Sequence, residues 1–201
     1  MASAPPLNGE GKKAGRAAVF LDRDGVINEN RLDYVKSWAE FTFLPGVFEA
    51  LRHLAQTDLA VVVITNQSAI NRGLVSRATV EEIHARMVAE IARQGGRVDA
   101  VFCCPHRPDE DCPCRKPRPG LLLQAAAELG LNLARSYLVG DALSDVEVAL
   151  ALGCTPFLVL TGRGRAQLCR PQARQLESFY VVADLAEAVE RIIGFESGSP
   201  G

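Results

Sequence analysis

Ala17-Ala18-Val19-Phe20-Leu21-Asp22-Arg23-Asp24-Gly25 sets an apolar run directly against two carboxylates and a glycine. Residues 17–21 are aliphatic or aromatic, the pattern of a buried strand. The acids stand at its carboxyl end, where an open α/β sheet presents its ligand crevice. Positions two apart in a strand project to the same side, so Asp22 and Asp24 converge on one small volume. Like charges that close need a cation or a proton to offset them. For an oxygen-only cluster the simplest cation is Mg²⁺. An Asp-rich turn with Gly25 at positive φ accounts for the same residues, so the pair has to be weighed with the rest of the chain.

Outward from this stretch, strand-like segments alternate with helix-like ones. Strands are expected at 17–22, 60–65, 98–104, 136–140, 156–160 and 179–182. Helices are expected at 47–56, 77–94, 120–129, 144–152 and 185–193. Ser76 suits a helix N-cap, and Gly130 and Gly153 suit helix ends. The apolar runs at 60–64 and 98–102 fit strands covered on both faces. This alternation predicts an α/β fold, a Rossmann-like parallel sheet flanked by helices. No insertion is large enough for a cap domain. Residues 28–45 carry Tyr34, Trp38, Phe41 and Phe43 and read as a loop folded over the crevice.

The chain has 201 residues, which suits one domain with a sizeable core. We expect that domain over 17–195, a disordered leader over 1–16 and a flexible tail over 196–201. The leader is polar and lacks the apolar core of a secretory signal. A formal net charge of -2 leaves no basic footprint for nucleic acid. No apolar stretch is long enough to span a bilayer, so neither nucleic acid nor membrane is an expected partner. A cytoplasmic protein is the default expectation. Oligomeric state stays open, a monomer being compatible with the sequence.

Four of the six cysteines fall within one short segment. Cys104, His106, Cys112 and Cys114 offer three thiolates and an imidazole, a complete tetrahedral set for structural Zn²⁺. Cys103 competes for a ligand position, but in a persisting strand it points opposite to Cys104. Such a zinc loop, 103–119, would deliver Arg115 and Lys116 to the crevice, since both follow Cys114 directly. Structural zinc in small peptides contributes about 10–16 kcal/mol of apparent binding free energy, ample to order a loop. Buried cysteines beside an unrelated histidine are the plainer alternative. Cys154 and Cys169 read as packing residues.

Further polar groups gather at strand ends: Thr65-Asn66-Gln67-Ser68 after the second strand, and Gly140-Asp141 with Asp145 after the fourth. Singly, each reads as a cap, a turn or a solvated charge. Together they suit phosphoryl transfer, with a carboxylate nucleophile, a second carboxylate moving protons, and a hydroxyl and a lysine on the phosphoryl oxygens.

Asp22-x-Asp24-Gly25, Thr65, Lys116 and Gly140-Asp141-x-x-x-Asp145, in that order, resemble the four motifs of the haloacid dehalogenase superfamily. The resemblance spans roughly residues 19–160. It implies Asp22 as nucleophile, forming an aspartyl-phosphate, and Asp24 as general acid and then base. It also implies Thr65 and Lys116 on the phosphoryl oxygens. Mg²⁺ would be held by Asp22, the Asp24 carbonyl and Asp141, with Asp145 in support. The zinc loop resembles the branch of heptose bisphosphate and histidinol-phosphate phosphatases. That likeness implies a small phosphorylated sugar as substrate, touched by Asn30, Arg31, Leu32, Asp33, Asn66, Gln67, Ser68 and Arg115. Ala69 and Ala142 stand where this branch often carries glycine and lysine. Removal of the 7-phosphate from a heptose 1,7-bisphosphate is the leading expectation. Histidinol-phosphate or broader sugar-phosphate hydrolysis is the alternative, and a non-catalytic phosphate-binding module is the rival of another class. The segment Thr161-Gly162-Arg163-Gly164-Arg165 reads as a solvated loop, with binding of a second phosphate as the alternative.

Overall fold

In the computed structural model, residues 15–176 and 178–198 are described. Six strands form one parallel sheet: β1 (Ala18–Leu21), β2 (Ala60–Asn66), β3 (Ala100–Cys104), β4 (Tyr137–Gly140), β5 (Thr155–Val159) and β6 (Tyr180–Val182). Their spatial order is β3-β2-β1-β4-β5-β6. The helices are α1 (Val47–Ala55), α2 (Arg77–Arg93), α3 (Gly120–Leu129), α4 (Leu143–Ala151), α5 (Gly164–Leu168) and α6 (Leu185–Glu196).

Both faces are buried along β1, β2, β4 and β5. The edge strands are part-exposed: β3 buries only Phe102 and Cys104, so the expectation that 98–102 is covered on both faces does not hold, and β6 exposes Tyr180 and Val181. In β1, Val19 and Leu21 pack with Leu51 and Leu54 of α1, Ile83 and Met87 of α2 and Val189 of α6. Ala18 and Phe20 face the other way, against Leu121 and Leu122 of α3 and Val148 of α4. The β-branched run of β2 divides likewise, Val61 and Val63 to one side and Val62 and Ile64 to the other. The Ser76 side chain caps α2 by accepting from Thr79 N, and Gly130 closes α3 in the left-handed region at φ 65°.

This strand order places the active crevice. The chain winds from β1 through β2 to β3 on one side, then returns to start β4 on the other side of β1. The connections therefore diverge between β1 and β4, and a crevice opens beyond their carboxyl ends. Asp22 follows β1 and Asp141 follows β4, so both point into that gap.

Several boundaries differ from expectation. β3 begins at Ala100 instead of residue 98, because Asp99 turns its carboxylate onto Val61 N. The 164–168 turn of helix was not expected. Residues 1–14 of the expected leader and 199–201 of the expected tail lie outside the described residues. Arg16, placed in the leader, bridges Leu131, and Glu196, placed in the tail, ends α6 and accepts the Tyr137 hydroxyl at 2.7 Å. The 28–45 segment is a loop with one short helical turn at Trp38–Glu40. Trp38 and Phe43 seat it on the core, with Trp38 stacked on Phe41 at 5.0 Å.

Candidate active site

The sheet brings three carboxylates together. Oxygens of Asp22, Asp141 and Asp145 lie within 4.8 Å of one another, all buried. Two cations face them. Lys116 Nζ is 2.6 Å from Asp145 Oδ1 and 3.2 Å from Asp22 Oδ1, and it donates to Ile64 O at 2.8 Å. Arg163 reaches Asp141 through Nη2 at 2.8 Å and through its backbone N–H at 2.8 Å. Three acids against two cations leave a negative balance among largely buried carboxylates. Burial pushes Asp22 up to about 6, with Lys116 opposing and Asp145 and Asp24 adding. Burial likewise raises Asp141, despite Arg163. Lys116 moves the other way: burial acts to lower it, but Asp145 and Asp22 prevail and hold it charged.

The donor set fits Mg²⁺: hard oxygens, clustered and short of positive charge. The backbone around it is shaped for close approach. A Cβ on Gly25 or on Gly162 would collide with Asp141 Oδ2. Both glycines have positive φ, +85° and +54°. The two turns are tied together by Thr161, whose hydroxyl donates to Gly25 O at 2.6 Å. Residues 161–163 are thus a wall of the carboxylate site, while Gly162, Arg163 and Arg165 stay exposed as a solvated loop would be. Arg163 was missed as a site residue.

Asp24 turns away from this cluster into a cage of donors. Arg23 Nη2 lies 2.9 and 3.0 Å from its two oxygens, Asn28 Nδ2 2.9 Å from Oδ1 and Gln67 Nε2 2.6 Å from Oδ2. Burial acts to raise its pKa, but the Arg23 charge and these hydrogen bonds outweigh it and lower the value. Thr65 is buried, and its hydroxyl accepts from Gln67 Nε2 at 2.8 Å.

A cleft of about 480 Å³ opens beside Asp22 and Asp24. Of the expected substrate contacts, Asn30, Arg31, Leu32, Asn66, Ser68 and Arg115 line it. Gln67 does not; it is buried beneath, bonded to Asp24 and Thr65. Asp33 does not either; it pairs on the surface with Arg31 and Lys36. Asn66 also braces the lysine: its amide accepts Lys116 N–H and donates to Lys116 O, both at 3.2 Å. Tyr34, Arg72 and Arg163 line the cleft and were not expected to. Ala69 is wholly buried.

The four zinc candidates meet as expected. Cys104, His106, Cys112 and Cys114 form one cluster, with Cys103 outside it. Sulfur–sulfur distances are 3.2–3.6 Å, and His106 Nδ1 is 3.5 Å from Cys104 Sγ and 3.3 Å from Cys114 Sγ. A tetrahedron with Zn–S near 2.3 Å has edges of about 3.8 Å, so this set is within a small adjustment of closing on zinc. All six cysteines are free thiols. Among the described residues, no helix is long and apolar enough to cross a membrane.

Residues 113–188 match the HAD-hydrolase-like family. The D-glycero-beta-D-manno-heptose-1,7-bisphosphate 7-phosphatase of Bordetella bronchiseptica is 44% identical over 175 residues, 87% of this chain and 97% of that protein. The protein of the same name from Escherichia coli is 38% identical over 184 residues, 87% of this chain and 94% of its own. A crystal structure of the B. bronchiseptica D,D-heptose 1,7-bisphosphate phosphatase, complexed with magnesium and phosphate, aligns with a TM-score of 0.83 at 43% identity, covering 89% of this chain and 99% of that one. With that identity along nearly the whole length of its relatives, this chain belongs to the haloacid-dehalogenase-like hydrolases, as a phosphatase of the branch that holds the heptose bisphosphate enzymes.

Proposed function

We propose that the chain removes the 7-phosphate of D-glycero-beta-D-manno-heptose 1,7-bisphosphate through an aspartyl-phosphate on Asp22. One observation carries the reading: Asp22 sits at the topological switch point, pinned by Lys116, with a second acid two residues on. An Asp22 carboxylate oxygen attacks phosphorus in line, and the ester P–O bond breaks as Asp24 gives the departing sugar oxygen a proton that it takes up on leaving the Arg23, Asn28 and Gln67 donors, which hold it ionised in this structure. Asp24, now ionised, takes a proton from water. That water attacks phosphorus, the bond to Asp22 breaks, and phosphate leaves. Lys116 and the Thr65 hydroxyl stabilise the equatorial oxygens as charge develops.

Asp22, Asp141 and the Asp24 carbonyl would hold Mg²⁺, with Asp145 in support; when bound it would offset the charge of the phosphoryl group against these acids. Zn²⁺ fits Cys104, His106, Cys112 and Cys114, and there it orders the loop that carries Arg115 and Lys116. A reducing compartment, the cytoplasm, keeps those thiols available. The cleft volume suits a small sugar. Arg31, Arg72, Arg115 and Arg163 on its walls suit a substrate with a second anionic group. We place all of this in one phosphatase domain over 17–195.

Asp22→Asn tests the reading, with phosphate release measured on the heptose bisphosphate. Loss of turnover is expected; unchanged release would remove Asp22 as nucleophile. Parallel kinetics on histidinol phosphate test the substrate. A higher kcat/KM for histidinol phosphate would overturn the heptose assignment.

A further inference from the structure

Arg23 stands between the two acids in sequence, yet its side chain is wholly buried. A guanidinium does not shed its proton, so burial there demands partners. Nη2 serves both Asp24 oxygens and also donates to Gln67 Oε1 at 3.1 Å. Nε reaches Asp24 Oδ1 at 3.3 Å, and the Phe41 ring lies 5.9 Å from the guanidinium carbon. The remaining edge points at α2, where Nη1 is 3.1 Å from His84 Nε2.

His84 occupies a buried position of α2, among Val80, Ile83 and Met87. A guanidinium only donates, so His84 Nε2 has to accept. That fixes an uncharged imidazole with its proton on Nδ1. Burial, then the Arg23 charge, hold its pKa down to about 3, in keeping with this tautomer. The order of contact is therefore His84 to Arg23 to Asp24. Rotating the guanidinium about its long stem would break the fork on Asp24, and His84 blocks that rotation from behind.

We propose that His84 is a positioning residue: by accepting from Arg23 Nη1 it aims the guanidinium at Asp24 and holds it as the ionised carboxylate that takes the proton of the attacking water. The inference rests on the role given to Asp24 above. It predicts that activity depends on an acceptor at the Nε2 position and not on a ring. A displacement of about 1 Å in a proton-transfer group can lower turnover by about 10²-fold.

The test compares His84→Gln with His84→Asn, using phosphate release from the heptose bisphosphate and thermal melting. The Gln amide reaches the place of Nε2, and the Asn amide stops short of it. His84→Gln is expected within about three-fold of the parent kcat, and His84→Asn lower by about ten-fold or more at unchanged KM, with similar melting points. Should His84→Asn not fold, His84→Met, apolar and of similar length, takes its place under the same criterion. Full activity in the variant lacking an acceptor would overturn the proposal. So would equal losses in both variants, which would mark a packing role. Asp24→Asn run alongside separates the two levels. If it retains turnover, the role of Asp24 fails; if it is inactive while His84→Asn matches the parent, the role of His84 fails alone.

Discussion

Lys116 lies closer to Asp145 than to Asp22, at 2.6 Å against 3.2 Å. Asp145 therefore holds the ammonium in place while Asp22 keeps an oxygen in the cleft. Lys116→Ala removes the positive charge on the reacting side and leaves two buried carboxylates facing each other. Turnover is expected to fall by about 10²–10³-fold with the fold retained in circular dichroism. Turnover near the parent value would remove Lys116 from the site.

Gly162 and Gly25 leave room for Asp141 Oδ2, which a Cβ on either would strike. Gly162→Ala places a methyl against Oδ2 at a backbone conformation that alanine disfavours. The Mg²⁺ concentration for half-maximal activity is expected to rise by about ten-fold, read from a metal titration. An unchanged titration would mean that Asp141 is not a magnesium ligand.

How much of this was legible in the sequence differs residue by residue. Asp22 and Asp141 follow directly from apolar runs that stop at polar residues, because a parallel sheet puts every such end on one side; Lys116 is legible only from its place after Cys114 and from the motif resemblance. The cysteine cluster was legible from spacing alone. Arg163 was not, because its contact with Asp141 depends on β5 lying beside β4, a non-local fact. Gln67 was read as a cleft residue because no periodicity fixes side-chain direction in the turn after β2. Its amide turned inward to Asp24 instead. His84 falls on the apolar stripe of α2, where a histidine carries only a packing signal. Tyr34 enters the cleft wall at φ 65°, a conformation no sequence rule assigns to tyrosine.

His84 also gives a stability prediction. Burial, then the Arg23 charge, lower its pKa from the ordinary 6.5 to about 3. Between those values the unfolded chain takes up a proton that the folded chain refuses. Its contribution is therefore present above about pH 6.5 and is lost as pH falls toward 3, on the order of 5 kcal/mol in all. Urea unfolding at pH 7 and pH 4.5 reads the slope. His84→Gln is expected to lose less stability than the parent over this interval; equal losses would contradict it.

Protein purified without chelator is expected to carry about one zinc per chain. Cys112→Ser should lower zinc content and reduce kcat, since the same loop carries Lys116. Metal analysis beside steady-state kinetics reads both. Iron in place of zinc, or full activity without either metal, would contradict the assignment.

The most direct test is of Asp22 itself. Enzyme mixed with heptose bisphosphate and Mg²⁺, acid-quenched within one turnover and digested, should yield the peptide containing Asp22 with one phosphoryl group added. The adduct should be absent from Asp22→Asn. Phosphate release by the parent enzyme through a single turnover with no phosphorylated Asp22 peptide, or with the adduct on another residue, would contradict the mechanism.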